Sequence, residues 1–186
     1  RATDFITPKS EVSRLFRNAV LDLAKDHAFA RSLVNSGRLS VPATLEASPL
    51  NTPDTDPFAG RMRPGAPAAD APVTVDGQPT WLLHQLHGSH FAALVFDGPE
   101  AQAQIAGLHA AAEGLAALDV LLVGDAGRTV DGARGVADVE GLVAQRYDAQ
   151  PGTVYLLRPD QHVCARWRAP SVDAARAALR RALALH

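Results

Sequence analysis

Residues 152–167, GTVYLLRPDQHVCARW, constrain the fold more than any other stretch of the chain. Val154–Leu157 is a short run of apolar and β-branched residues, and residues 162–167 have the composition of a second strand. Between them lies Arg158-Pro159-Asp160-Gln161. Proline pre-sets φ for the second position of a type I turn and aspartate is tolerated at the third, so this tetrapeptide should reverse the chain tightly. The expectation is a β-hairpin, and its flanks decide the rest of the fold.

Upstream, residues 81–86 and Phe91–Phe96 are apolar runs expected to be strands, and an alanine-rich segment follows in which Ile105, Leu108 and Leu115 fall at helical spacing. Val120-Leu121-Leu122-Val123, ended by Gly124, is a continuous apolar run expected of a strand buried on both faces. Residues 139–147 can make a two-turn helix. After the hairpin, Ser171 is placed to accept an N–H of the first turn of a terminal helix carrying Val172, Ala175, Leu179, Ala182 and Leu183, with Asp173 near its positive end. Strand, strand, helix, strand, helix, hairpin, helix is the order of an α/β, thioredoxin-like domain: a mixed central sheet with helices on both faces.

At 186 residues the chain is long enough for one ordinary domain with extensions, and a 47% apolar content suits a globular core. A net charge of −2 gives no electrostatic footprint for nucleic acid or an anionic membrane surface. No apolar run approaches the roughly 20 residues needed to span a bilayer, and the first ten residues have no signal-peptide core, so a soluble, cytoplasmic protein is expected. The single cysteine, Cys164, cannot form an internal disulfide. A chain beginning at Arg1 suggests a piece of something longer.

Pro8 and Ser10 open a segment in which Val12, Leu15, Phe16, Ala19, Val20, Leu23 and Ala24 repeat at the spacing of a strong amphipathic helix. Asp26 can cap a second, short helix bearing Phe29, Leu33 and Val34 and stopped by Gly37. The apolar stripe of this pair either packs on the domain itself or belongs against a module outside this chain. Residues 37–72 are rich in Pro, Gly, Ser, Thr, Asp and Ala, and their prolines forbid a continuous helix or central strand. They are expected to be a linker lying along a surface supplied by the rest of a larger protein. The organisation expected is therefore terminal helices at 1–36, a linker at 37–72 and the thioredoxin-like domain at 73–186.

Four stretches carry a family resemblance. YLLRPDQHVCARW resembles the YLxRPDGHVAWR signature that ends the carboxy-terminal domain of the flavin-dependent aromatic hydroxylases, the phenol hydroxylase type. DFITPKSEVSRLFRNAVLDLAKDHAFARSLVNSGRLSVP resembles the final helices of that family's flavin and substrate module, and SPLNTPD with RPGAPAADAPV resembles its segment leading into the last domain. The family's glycine in the hairpin turn is Gln161 here. Glycine costs nothing at positive φ, so the departure makes the turn slightly less relaxed, although a type I turn does not require it.

The chemistry available to the chain itself is limited. In a redox-active thioredoxin-like domain a CxxC or peroxidatic cysteine would follow the strand ending near Phe96, where this sequence has Asp97-Gly98-Pro99-Glu100. Cys164 is expected to be a small buried apolar residue mid-strand. His84, His87 and His90 lie three apart, but in a strand such residues point to opposite faces, and no carboxylate or cysteine lies nearby before Asp97. They are taken as ordinary surface or turn histidines. Gly124-Asp125-Ala126-Gly127-Arg128 lacks the spacings of a phosphate-binding loop. Arg158, Arg166 and Arg168 could hold an anion together, but arginines on a strand pair more often face solvent or meet acidic neighbours.

The resemblance implies a carboxy-terminal, thioredoxin-like structural or association domain of an FAD-dependent monooxygenase acting on phenolic rings. Such an enzyme uses NAD(P)H to reduce FAD and activates oxygen on the flavin. This chain alone is expected to be non-catalytic, with no catalytic, cofactor-binding or metal residue of its own. The implied partners are the flavin and substrate module of the same enzyme and a second copy of the chain in a homodimer, with neither nucleic acid nor membrane. The alternative is a freestanding, redox-inactive thioredoxin-like module that binds other proteins; a thiol peroxidase relative would need turnover for which the sequence offers no thiol site.

Overall fold

The computed structural model describes residues 5, 7–27, 29–30, 42–124, 128 and 130–185. The chain divides into two compact units, Arg1–Pro42 and Ala43–His186.

In the first unit, α1 spans Glu11–Asp26. Ser10 is its N-cap: the side-chain oxygen accepts the Ser13 N–H at 3.2 Å, satisfying a donor that has no partner within the helix. Glu11 sits at the positive end and Lys25 in the last turn, where each complements the helix dipole. The stripe read from the sequence is present but is not uniform in exposure. Val20 is buried, whereas Val12, Leu15 and Phe16 are 77%, 74% and 62% exposed. The second helix expected after Asp26 falls largely outside the described residues.

The second unit is built on a seven-stranded mixed sheet. Its strands are β1 (Pro72–Val75), β2 (Gln78–Trp81), β3 (Phe91–Phe96), β4 (Leu118–Gly124), β5 (Arg134–Ala137), β6 (Val154–Leu157) and β7 (Val163–Trp167). They lie in the order β2-β1-β5-β4-β3-β6-β7. The β3–β4 and β4–β5 pairs are parallel; the other neighbours are antiparallel. Every residue of β3 is buried, as its unbroken apolar run requires of a central strand.

Successive β3 side chains point to opposite faces. Ala93 and Val95 join a core with Ile105 and Leu108 of α2 (Ala101–Ala112) and with Ala175 and Leu179 of α4 (Val172–Ala182). Ala92, Leu94 and Phe96 join Val143 of α3 (Leu142–Arg146), Tyr147 and Leu82 on the other face. The α/β expectation, a mixed sheet with helices on both faces, therefore holds. So do the hairpin and the terminal helix, where Ser171 Oγ accepts the Ala174 N–H at 3.2 Å.

Three elements differ from the sequence reading. Residues 81–86 were expected to be a strand; β2 ends at Trp81 and Leu82–Gln85 is a 3₁₀ turn instead. Asp70 explains the switch, since its Oδ1 accepts the Leu83 N–H at 3.0 Å and turns the backbone out of the extended state. The helix expected over 139–147 is only α3, because Asp138 delays its start by accepting from the N–H groups of Val143 and Ala144 at 3.1 and 2.8 Å.

The third difference concerns the linker expected over residues 37–72, of which 37–41 lie outside the described residues: residues 43–71 form a strap fastened to β7 of their own unit. The Thr52 N–H donates to Cys164 O at 2.8 Å, the Gly65 N–H to Val163 O at 2.7 Å, and the Val163 N–H to Ala66 O at 2.9 Å. Gly65 is needed for this path. Its φ is 91°, and a Cβ there would stand 2.4 Å from Leu45 O.

Candidate functional site

In this architecture β3 delivers the chain to the start of α2 through Asp97, Gly98, Pro99 and Glu100. Asp97 is engaged by Arg128 across a 2.5 Å ion pair. A Cβ on Gly98 would lie 2.9 Å from Gly152 N, so the turn leaves no room for a side chain beside β6. The only thiol of the chain is elsewhere. Cys164 is fully buried in β7, its Sγ–H donates to Leu156 O at 3.3 Å, and burial pushes its pKa up to about 12. A thiol so protonated is a poor nucleophile and metal ligand near neutral pH.

The three arginines of the hairpin are all taken up by acidic partners. Arg158 forks onto Asp160 within the turn. Burial tends to raise the Asp160 carboxyl, but the Arg158 guanidinium and the His162 N–H outweigh it and hold the pKa below the usual range. Arg166, 5% exposed, donates Nε and Nη2 to the two Asp54 oxygens at 2.9 and 2.6 Å and Nη1 to Met62 O at 3.1 Å. Arg168 donates to Asp148 Oδ2 at 2.8 Å and to Pro57 O at 3.1 Å. The Ala59 N–H and Arg168 together hold Asp148 below its ordinary pKa.

Phe58 of the strap lies against both guanidinium groups, 4.4 Å from Arg166 and 3.8 Å from Arg168, and meets Tyr155 edge-on at 5.9 Å. Tyr155 donates to Tyr147 O at 2.6 Å and Tyr147 to Ala69 O at 2.9 Å, and burial raises the pKa of both phenols. This cluster clamps the strap to the hairpin. It leaves no arginine fork of the hairpin without a carboxylate, so the anion-site alternative has no free donor set here.

The histidines behave differently from the sequence reading. His84 belongs to the 3₁₀ turn. His87 and His90 are brought together by a tight turn, in which the His90 N–H donates to His87 O at 3.1 Å, and their rings lie 5.9 Å apart. A carboxylate does complete the group. Asp119, paired with Ala92 across the parallel β3–β4 ladder, places Oδ2 2.7 Å from His87 Nδ1 and 3.1 Å from His90 Nδ1. Partial burial raises the Asp119 pKa, but the two imidazole hydrogen bonds outweigh it and leave the group below its ordinary value. No spacing in the sequence signals Asp119, because only the strand register brings it to the turn.

These features define a thioredoxin-like α/β domain whose usual redox position carries Asp97-Gly98-Pro99-Glu100. The chain is similar in structure to the flavin-dependent monooxygenase PieE, solved with FAD and substrate, at a TM-score of 0.62 and 20% identity over 98% of this chain and 31% of that one. It is also similar to aklavinone-11 hydroxylase, solved with FAD and aklavinone, at a TM-score of 0.56 and 23% identity over 74% of this chain and 25% of that one. A thioredoxin-like protein from Bacteroides caccae matches at a TM-score of 0.50 and 20% identity, over 64% of this chain and 50% of its own. The chain thus spans less than a third of the length of either monooxygenase. No protein-family model matches the chain, and no curated protein does. At these identities the likeness establishes the fold alone.

Proposed function

We propose that this chain is the carboxy-terminal, thioredoxin-like part of a larger FAD-dependent monooxygenase acting on phenolic rings, and that it serves structure and association rather than thiol chemistry. The observation that carries the reading is the reach of the likeness. The match to PieE covers 98% of the chain, whereas the thioredoxin-like protein covers 64%. A freestanding module accounts for the sheet domain; it does not account for a first unit with an exposed apolar helix face.

On this reading FAD and NAD(P)H bind to the rest of the enzyme and the exposed stripe of α1 docks on the flavin and substrate module. Among the described residues, the position after β3 and the buried Cys164 offer no thiol for exchange, which suits a positioning role. The test compares this chain with the product of its complete reading frame. The complete product should be several hundred residues longer, stay yellow with FAD after desalting and oxidise NAD(P)H in the presence of a phenol, while this chain alone stays colourless. A complete product no longer than this chain, or one that retains no flavin, would sink the proposal and favour the freestanding binding module.

A further inference from the structure

The geometry points to a divalent-cation site of the zinc type formed by His87 Nδ1, His90 Nδ1 and Asp119 Oδ2. The three ligand atoms all lie within 4.8 Å of one another. Around a tetrahedral ion with bonds of about 2.0–2.1 Å, ligand atoms stand roughly 3.3 Å apart. The separations from Asp119 Oδ2, 2.7 and 3.1 Å, need to open by about 0.6 and 0.2 Å to admit such an ion. Two imidazoles and one carboxylate form a donor set suited to zinc.

The backbone is hydrogen-bonded on both sides of the site. The histidines are held by a hydrogen-bonded turn entering β3, and Asp119 by the β3–β4 register. Without a cation, both rings compete for the same carboxylate oxygen. A cation would replace this shared hydrogen bonding with three direct bonds, each imidazole moving its remaining proton to Nε2. The side chains of His87, His90 and Asp119 are 53%, 41% and 29% exposed, so an ion can enter and keep water in its open position. Asp119 also borders a cleft of about 280 Å³ lined by Gln85, His109 and Arg134. The site lies at the end of the sheet where the central strands β3 and β4 begin, opposite the end that carries Asp97.

The test titrates the whole chain with zinc alone and with cobalt(II) alone. One ion should bind per chain, and cobalt(II) should show the visible absorption of a low-coordinate site. His87→Ala, His90→Ala and Asp119→Asn should each weaken binding by about tenfold or more, while His27→Ala, beyond the end of α1, leaves it unchanged. Ring proton NMR of the unmutated chain supplies a reading independent of variant folding: His87 and His90 should shift together at one equivalent of zinc. No binding at zinc concentrations on the order of 100 µM, binding that survives Asp119→Asn and His87→Ala, or shifts confined to other histidines would overturn the inference.

Discussion

Gln161 holds φ at 62°, directly after the Arg158-Pro159-Asp160 corner, where the Gln161 N–H donates to Arg158 O at 2.8 Å and the Arg158 N–H to His162 O at 2.9 Å. This is a type I turn closed by a left-handed residue, a position that glycine fills without strain. The sequence reading treated the missing glycine as nearly neutral; the positive φ makes it a cost of about 1 kcal/mol. Gln161→Gly should therefore stabilise the domain by about 0.5–1 kcal/mol, visible as a higher urea midpoint with an unchanged slope. Cys164 gives a pH prediction. Its pKa is raised from 9.0 to about 12 in the folded state, so the unfolded chain releases the thiol proton first, and stability present below pH 9 is lost as pH rises toward 12. The slope from this group should approach 1.4 kcal/mol per pH unit in mid-window and disappear in Cys164→Ser. An equal slope in the variant would assign the alkaline loss to the buried tyrosines instead.

The strap and the hairpin act as one element because Arg166 is buried and needs Asp54. Removing one partner of such a pair strands the other charge, so Asp54→Ala should cost about 3 kcal/mol and Asp54→Asn, which keeps an acceptor for Nε, distinctly less. Urea denaturation of both variants is the check, and a loss below about 1 kcal/mol for Asp54→Ala would mean that Met62 O and the Phe58 ring suffice to hold the guanidinium. How far such elements can be read from sequence depends on where their partners lie. β3, β4, the hairpin and α4 announce themselves through local periodicity and caps. The β1–β2 hairpin has a local signal too, Asp76-Gly77 with φ of 51° and 77°, but its strands are only four residues long and β2 contains Pro79. β5, Arg134–Ala137, has too few apolar residues to stand out and exists because β4 and β1 flank it. The strap looked like a linker because its composition forbids regular structure. Its attachment rests on Asp54, Phe58 and Gly65 meeting residues about a hundred positions later, as Asp119 meets His87 across 32. Those are consequences of register, which spacing along the chain does not encode.

At the scale of the molecule, α1 presents Val12, Leu15 and Phe16 as a largely exposed apolar face. Covering each such side chain is worth roughly 1.5–3 kcal/mol at full burial, enough to drive association when no other module is present. The isolated chain should therefore dimerise at micromolar concentration, and Leu15→Asp with Phe16→Asp should make it monomeric while the sheet domain stays folded. Val20, buried, is unsuitable as a surface probe. Light scattering on size-exclusion eluates decides the matter, and a monomeric unmutated chain would remove self-association from the account. The strap has a further consequence at this scale. An open sheet ends in two rows of unpaired backbone groups, which can template pairing with any neighbouring chain. Here the strap spends its own amides and carbonyls on β7, and the opposite border is β2, only four residues long and interrupted by Pro79. Both borders are thus poor seeds for fibril growth. A chain shortened to begin at Pro72 would regain the bare β7 border and should bind amyloid-type dyes under conditions in which the longer chain stays clear.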